Sequence, residues 1–216
     1  IRDSRVIGTQ SLCESLARLS QPPRTLVCAS AVGFYGDRGD EELDEHSRPG
    51  EGFLPTGGQE WEAATQPAEK AGMRVVHLRF GVILSREGGA LAQMLLPFRA
   101  GVGGRIGSGT QYMSWISRDD AVGAIVHAVT HPDLAGPVNA VSPAAVTNLE
   151  FTRTLGGVLH RWTIFPLPAF AARLALGQMA DDLLLASARV IPRRLQETGY
   201  EFQHAELEAC LREELQ

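Results

Sequence analysis

Two hydroxyl side chains, Ser30 and Tyr35, hold the best position for chemistry in this sequence. They lie in the segment 24–36, RTLVCASAVGFYG, which opens after a pair of prolines and begins as an apolar run. A short apolar run bounded by turn residues is typical of a strand buried on both faces in a parallel sheet. Ligands bind at the carboxyl ends of such strands, so both residues are candidate catalytic groups. The alternative stays open that Ser30 satisfies backbone groups at the strand end and that Tyr35 packs beneath the loop.

A second set of candidates follows the next apolar run. The stretch 74–84, RVVHLRFGVIL, carries Arg79, Gly81 and Val82 near its end. A glycine in this position lets the backbone approach a ligand closely. That use is favoured over a plain turn only by the family resemblance described below.

Three candidate substrate-binding residues lie in and after a glycine-rich loop at 100–109. Arg105 could bind a phosphate through two parallel hydrogen bonds, and Gln111 and Trp115 could line a cleft. Two simpler alternatives stay open, because a loop arginine is commonly solvated and because Trp115 suits a core position equally well.

Two clusters that invite a chemical interpretation have simpler explanations. Asp119 and Asp120 come shortly after Ser117, and a serine N-cap with carboxylates in the first helical turn accounts for them. His127 and His131 have the i, i+4 spacing of one helix face, but no acidic or cysteine partner accompanies them at metal-site spacing. We therefore predict no metal site.

The composition is that of a globular protein. The 216 residues are 44% hydrophobic, carry a net charge of −5 and contain no apolar run near the roughly 18 residues that span a bilayer. The 20 basic residues are scattered, which predicts neither nucleic acid nor a membrane as a partner. The three cysteines have no metal or redox spacing and favour a reducing, cytoplasmic setting. The oligomeric state stays open.

Hydrophobic periodicity and turn residues place the candidates on alternating helices and strands. An amphipathic helix at 3–19 precedes the strand 25–30, and a helix opened by Pro55 precedes the strand 74–84. Later elements are a helix carrying 91–98, strands at 112–116 and 137–140, helices at 118–130 and 147–160, the latter opened by a Thr-x-x-Glu capping box, and short helices from 166. This order predicts an α/β fold with right-handed crossovers in a parallel sheet. Two long strands make a poor sheet alone, so we expect an N-terminal half to precede Ile1.

With these elements placed, the sequence resembles the extended short-chain dehydrogenase/reductase superfamily, which includes nucleotide-sugar epimerases and dehydratases. It is most similar to an epimerase-family branch that ends in a small C-terminal domain of unknown function. The stretches that carry the match are ASAVGFYG at 29–36, EWEAA at 60–64, LRFGVILSREGGAL at 78–91, LLPFRAGVGGRIGSGTQYMSWISRDD at 95–120, FPLPAF at 165–170 and VIPRRLQETGYEF at 190–202.

The resemblance implies a Rossmann-type sheet that lacks its N-terminal half, at 1–110, a mixed α/β substrate-side region at 111–165 and a smaller, mostly helical domain at 166–216. It implies a small-molecule substrate, with a nucleotide sugar as one candidate, and NADP in preference to NAD as cofactor. The cofactor contacts that it implies are Ala29, Ser30, Arg79, Gly81 and Val82.

The sequence departs from the superfamily at the residues that carry its acid–base chemistry. Members that transfer a hydride use a tyrosine and, four residues later, a lysine that lowers the tyrosine pKa. Counting back from Glu62, those positions hold Leu54 and Gly58, and the superfamily's catalytic serine or threonine aligns with Ala31 or Ser30. The phosphate loop G-x-G-x-x-G is also missing, so we expect these residues alone to be inactive. Two functions stay open: an NAD(P)-dependent oxidoreductase or epimerase, and a non-catalytic dinucleotide-binding or regulatory protein that has lost the Tyr-x-x-x-Lys pair.

Overall fold

The computed structural model describes residues 2–177 and 181–216. Its helices are α1 (Arg2–Ala17), α2 (Phe53–Ala63), α3 (Gln66–Lys70), α4 (Gly89–Arg99), α5 (Arg118–Thr130), α6 (Asn148–Leu159), α7 (Ala169–Leu176), α8 (Arg193–Glu197) and α9 (Leu207–Glu214). Its strands are β1 (Thr25–Ala31), β2 (Glu42–Leu43), β3 (Arg74–Phe80), β4 (Val82–Leu84), β5 (Tyr112–Met113), β6 (Trp115–Ser117), β7 (Gly136–Ala140), β8 (Val146–Thr147) and β9 (Arg189–Val190). A 3₁₀ turn at Val32–Tyr35 follows β1, and a π-helical turn occupies Asp181–Leu185.

The central sheet consists of three parallel strands in the order β1, β3, β7. The register places Ser30 of β1 opposite Arg79 of β3, and Arg79 opposite Asn139 of β7. β3 lies between two partners and is buried over most of its length, whereas β1 is partly exposed. The predicted full burial is therefore confirmed for β3 and wrong for β1, whose outer edge has no paired strand among the described residues.

Local capping sets the boundaries of two helices that follow strands. Ser117 is the N-cap of α5, and its hydroxyl accepts a hydrogen bond from the Asp120 backbone N–H at 2.9 Å. Thr147 and Glu150 form the predicted capping box of α6, with the Thr147 N–H donating to the glutamate carboxylate at 2.7 Å. The carboxylate of Asp120 instead reaches the C-terminal part of the chain.

Two of the hydrophobic cores pack helices α4, α5, α6 and α9 against the rest of the fold. Small residues of α5 lie in the first core, which lets the helix approach β3 closely; they are Ala121, Ala124 and Ala128, packed with Val76 and Leu78. The second core joins α4, α6 and α9 and includes Leu91, Leu95, Phe98, Phe151, Leu155 and Leu211. The C-terminal helix α9 is thereby joined to the elements that follow β3 and β7.

The two ends of the chain pack on this framework in different ways. Helix α1 buries Cys13 against Ala68 of α3, and strand β9 pairs in parallel with β2. The carboxylate of Asp120 accepts hydrogen bonds from the backbone N–H groups of Gln203 at 2.8 Å and His204 at 3.0 Å. Among the described residues, none of these helices has the length and apolar character needed to cross a membrane.

Candidate functional site

A cleft of about 830 Å³ opens at the carboxyl ends of β1 and β3. Its lining is mostly apolar and aromatic and contains small residues that directly follow the two strands. The residues used in the argument below are Ala31, Gly33, Phe34, Phe80, Gly81 and Tyr112. Small-molecule sites in proteins commonly occupy about 300–1,000 Å³. The cleft therefore has the size and the location expected for a ligand site in a parallel α/β sheet.

A buried row of polar side chains lies next to this cleft and is built by the sheet register. Ser30, Arg79 and Asn139 occupy the same level of three adjacent strands, so their side chains point to one face of the sheet. Glu62 of α2 meets them there. Its carboxylate accepts a hydrogen bond from Ser30 Oγ at 2.7 Å and from Arg79 Nε and Nη2, both at 2.8 Å. The arginine and the glutamate thus form a buried bidentate ion pair.

Tyr35, from the 3₁₀ turn, joins the other end of this polar row. Its wholly buried hydroxyl accepts a hydrogen bond from Arg79 Nη1 at 2.9 Å and donates to Asn139 Oδ1 at 2.7 Å. The guanidinium carbon of Arg79 lies 3.5 Å from the ring centroid of Phe34, which lines the cleft. The polar row of Ser30, Glu62, Arg79, Tyr35 and Asn139 therefore supports an aromatic wall of the cleft.

The electrostatics of the polar row keep each group in a single protonation state at neutral pH. Burial alone would raise the pKa of Glu62, but hydrogen bonding and charge from Arg79, with a hydrogen bond from Ser30, lower it below its ordinary value. Burial raises the pKa of Tyr35, and this effect exceeds the opposing influence of Arg79. Tyr35 is therefore a neutral phenol and Glu62 a carboxylate, an arrangement that suits orientation of the strand ends better than proton exchange with a ligand.

The structure brings the two predicted catalytic residues together in the polar row. Ser30 is bonded to Glu62, and Tyr35 is bonded to Arg79, so both hydroxyl groups have protein partners. At the end of β1 it is Ala31 that lines the cleft. Catalysis by Ser30 and Tyr35 stays a prediction, and their hydrogen bonds favour an indirect role.

The residues predicted to contact a cofactor are divided between the cleft and the polar row. Gly81 and Val82 line the cleft, Arg79 lies in the row, and Ala29 is exposed on β1 outside the cleft lining. At Gly81 an added Cβ would come within 2.5 Å of the Ser114 carbonyl oxygen, so the close approach that demands glycine is made by a neighbouring strand segment. The cofactor contacts themselves stay predictions.

The three predicted substrate-binding residues all hydrogen-bond to the backbone. Arg105 is exposed and donates to the Ser108 carbonyl at 2.6 Å within the glycine-rich loop. Gln111 is buried, and its side-chain amide donates to the Leu184 carbonyl at 2.9 Å. Trp115 is fully buried, with Nε1 donating to a backbone carbonyl at 2.8 Å, which places it in the core. Substrate contact by these residues stays a prediction.

The cleft also contains residues that the sequence did not single out as ligand contacts. Tyr112 lines it, directly beside the predicted Gln111. Leu54 and Gly58 also line it, and they lie one turn apart on α2 at the positions where the resemblance would place a tyrosine and a lysine. Their i, i+4 spacing was the available signal that they share a helix face.

One group of titratable side chains outside the cleft has the mutual spacing of metal ligands among the described residues. Asp119, His204 and Glu213 bring one ligand atom each within 4.8 Å of one another. The guanidinium of Arg118 lies 3.6 Å from the Asp119 carboxylate, and the cluster is partly exposed. These contacts are those of a surface ion-pair group, and they do not support a metal proposal.

Glu45 is a buried carboxylate that links β7 to α8 and should make stability depend on pH. Oε1 accepts hydrogen bonds from the backbone N–H groups of Asn139 at 3.0 Å and Arg194 at 3.1 Å, while Oε2 has no partner among the residues that the structure describes. Burial raises the pKa of Glu45, although these backbone hydrogen bonds oppose the shift. The folded state therefore binds more protons than the unfolded state above the ordinary glutamate pKa of 4.5, and stability falls as pH rises through the folded pKa.

We expect Glu45→Gln to remove this decline, so that its free energy of unfolding changes less with pH above 4.5 than that of the unaltered protein. Urea unfolding at a series of pH values measures the difference. Glu201→Gln, at an exposed position, is the control and should keep the original pH dependence. Equal slopes for the unaltered protein and Glu45→Gln would contradict the prediction.

The fold and the cleft together define an α/β protein of Rossmann type with a ligand cleft at the carboxyl edge of a parallel sheet. Residues 1–141 match the NAD dependent epimerase/dehydratase family, and residues 167–214 match a domain of unknown function, DUF1731. The chain belongs to the NAD dependent epimerase/dehydratase family. These matches confirm the predicted family and the predicted fold class.

Individual relatives agree with this assignment. An epimerase family protein of Mycobacterium leprae, ML0860, is 46% identical over 204 residues, which cover 94% of this chain and 66% of the relative. The crystal structure of human epimerase family protein SDR39U1 with NADPH has a TM-score of 0.94 and 38% identity, over 99% of this chain and 72% of that chain. A nucleoside-diphosphate sugar epimerase from Corynebacterium glutamicum has a TM-score of 0.82 and 38% identity, over 99% and 42%. The chain thus spans about two thirds of the mycobacterial relative's length.

Proposed function

We propose that the cleft binds the nicotinamide end of NADP(H) together with a small-molecule substrate, and that the protein is an NADP(H)-dependent oxidoreductase or epimerase. The position of the cleft carries the proposal, because it lies at the carboxyl ends of the parallel strands β1 and β3. The human relative whose structure contains NADPH supports the choice of cofactor. When bound, a nicotinamide ring supplies or accepts a hydride.

The residues present fit one end of such a cofactor. Ala31 and Gly33 add little bulk to the cleft where β1 ends, which suits a flat ring. Phe80 adds an apolar surface, and Arg5 of α1 contributes a cation to the lining that suits a phosphate. A volume of about 830 Å³ leaves room for a small substrate beside the ring.

A hydroxyl group for the substrate comes from Tyr112 in this proposal. Of the three tyrosines, Tyr112 lines the cleft, whereas Tyr35 donates to Asn139 and Tyr200 is hydrogen-bonded to Asp120. We assign Tyr112 the role of donating a hydrogen bond to a substrate oxygen. Ser30 and Tyr35 keep a place in the proposal as positioning residues, because both bind the ion pair that supports the Phe34 wall.

The lining contributed by α2 supports a second candidate function. Leu54 lines the cleft at the position where the resemblance would place a tyrosine, and it offers an aliphatic side chain. Gly58 lines the cleft at the position of the lysine, and it has no side chain. A leucine and a glycine cannot exchange protons with a substrate. This favours a non-catalytic dinucleotide-binding or regulatory protein if no other group supplies the proton.

Calorimetric titration with NADPH and NADH tests the proposal, on this 216-residue chain and on the whole protein encoded by the same gene. We expect the whole protein to bind NADPH. Ala31→Phe should weaken that binding at least about tenfold, because the new ring competes with the cofactor for the cleft. The matched control is Ala71→Phe, at an exposed position directly after α3 and outside the cleft lining, which should bind NADPH normally.

The outcomes separate the candidates. Absence of NADPH and NADH binding by both proteins, with circular dichroism showing that both are folded, would overturn dinucleotide binding altogether. Binding without oxidation, reduction or epimerisation across a broad substrate panel would favour the non-catalytic candidate over the enzyme.

For any substrate found in that panel, Tyr112→Phe should lower kcat/KM at least about tenfold, the scale of one hydrogen bond lost from the reacting complex. The affinity for NADPH should stay within about twofold, because the variant keeps the aromatic ring and loses only the hydroxyl group. Initial-rate kinetics and calorimetry measure the two effects. Tyr200→Phe removes a hydroxyl outside the cleft and is the control, and an equal loss of kcat/KM in both variants would refute the role of Tyr112.

A further inference from the structure

Large apolar side chains are exposed to solvent in and before α7. Trp162, Phe170 and Leu174 are 79%, 72% and 87% exposed, and Ile164 and Phe165 are also exposed. Phe170 and Leu174 lie one turn apart on the same face of α7. Single exposed apolar residues are ordinary, but a group of this size marks an interaction site. These five residues are called the aromatic surface below.

Hydrogen bonds attach the segment of the aromatic surface to the glycine-rich loop and to the end of α4. Ile164 forms an antiparallel bridge with Gly104, where an added Cβ would overlap the carbonyl oxygen of Phe165. The guanidinium of Arg161 donates from Nε to the Arg99 carbonyl at 3.0 Å. Two stretches that are distant in sequence therefore share one surface.

These two stretches differ in charge from the rest of the chain. The segments 88–118 and 151–180 contain no Asp or Glu, although the chain has 25 acidic residues and a net charge of −5. Exposed arginines of these segments that form no ion pair among the described residues are Arg99, Arg105, Arg153 and Arg161. Arg173 is paired with Asp181 at 2.8 Å. The aromatic surface is thus associated with positive charge that no carboxylate of its own segments neutralises.

We propose that the aromatic surface binds the surface of an anionic lipid bilayer. Exposed Trp, Phe and Leu side chains enter the interfacial region of a bilayer, and nearby arginines are attracted to anionic lipids. A single partner, the anionic bilayer, would thereby contact both the exposed apolar side chains and the arginines. A second copy of this chain fits less well, because a twofold contact would bring the same arginines together.

Co-sedimentation with vesicles tests this proposal, using pure phosphatidylcholine and an equal mixture of phosphatidylcholine and phosphatidylglycerol. We expect binding to the mixed vesicles alone, weakened by added salt. Phe170→Ser/Leu174→Ser should lower it at least about tenfold, and so should Arg99→Gln/Arg161→Gln. The matched control is Val126→Ser/Val129→Ser, which removes two exposed apolar residues from α5 and should leave binding unchanged.

Fluorescence quenching provides a second test, with the unaltered protein and one conservative variant. Lipids brominated in their acyl chains should quench fluorescence from Trp162, and Trp162→Phe should remove that quenching. No binding to the mixed vesicles, equal binding to both compositions, or an equal loss in the α5 control would overturn the proposal. A dimer in analytical ultracentrifugation that Phe170→Ser/Leu174→Ser dissociates would assign the surface to a second copy instead.

Discussion

Replacement of Arg79 by methionine should lower the free energy of unfolding by about 3–5 kcal/mol, the cost of breaking a buried ion pair from one side. Arg79 is 4% exposed and bonds to Glu62 through two nitrogen atoms and to Tyr35 through a third. Methionine keeps an apolar stem but leaves the carboxylate of Glu62 buried without its cation. Urea unfolding followed by circular dichroism measures the change.

An exposed ion pair provides the matched control. Arg212→Met breaks an i, i+4 pair with Glu208 on the surface of α9 and should cost less than about 0.5 kcal/mol. The double variant Arg79→Met/Glu62→Met should recover part of the loss, because it leaves no unpaired charge inside. A cost of Arg79→Met no larger than that of the control would show that the polar row does not support the cleft energetically.

Replacement of Asp120 by alanine should also lower the free energy of unfolding by about 3–5 kcal/mol, because it leaves several buried donors without an acceptor. The fully buried carboxylate accepts hydrogen bonds from Ser117 Oγ at 2.7 Å, from the Tyr200 hydroxyl at 3.1 Å, and from the backbone of Gln203 and His204. It therefore joins the start of α5 to the C-terminal segment. Urea unfolding measures the loss, and limited proteolysis should show earlier cleavage after α8.

The neighbouring aspartate offers a close control. Asp119 follows the same N-cap on α5, but its side chain is 48% exposed. Asp119→Ala should cost less than about 1 kcal/mol, the scale of an exposed carboxylate at a helix N-terminus. Similar losses for the two variants would mean that position in the first turn, rather than burial and the C-terminal contacts, determines the role of Asp120.

The polar row illustrates how far the sequence could predict the site. Ser30 is predicted from its place at the end of an apolar strand, and Arg79 from the family resemblance, which implies a cofactor contact there. Their common position depends on strand register, which also aligns Asn139 with them. The Glu62 carboxylate accepts hydrogen bonds from Ser30 and Arg79, so a ligand cannot accept those same bonds. Strand pairing depends on residues far apart in the sequence. The sequence therefore indicated that the site lies at the carboxyl ends of the strands, but not which side chains contact one another there.

The region around the glycine-rich loop shows a related difference. The sequence selected Gln111 and Trp115, whereas Tyr112 between them lines the cleft. Met113 and Ser114 line it as well. Gln111 and Trp115 instead donate to the backbone carbonyls of Leu184 and Ala144, and partners so distant in the sequence cannot be recognised from local pattern. Scattered basic residues likewise gave no sign of a membrane partner, because the arginines considered in the lipid proposal belong to two separate stretches.

The sequence by itself determined the alternating helices and strands, the N-cap at Ser117, the capping box that opens α6, and the family. These features depend on residues a few positions apart or on continuous stretches, whose periodicity and hydrogen bonding are local. Only the tertiary structure decided which side chains line the cleft, that Ser30 and Tyr35 are bonded into a buried row, and where apolar side chains stay in solvent. Those properties depend on contacts between residues far apart in the sequence, such as Tyr35 with Asn139 and Glu45 with Arg194, and local propensity does not specify such contacts.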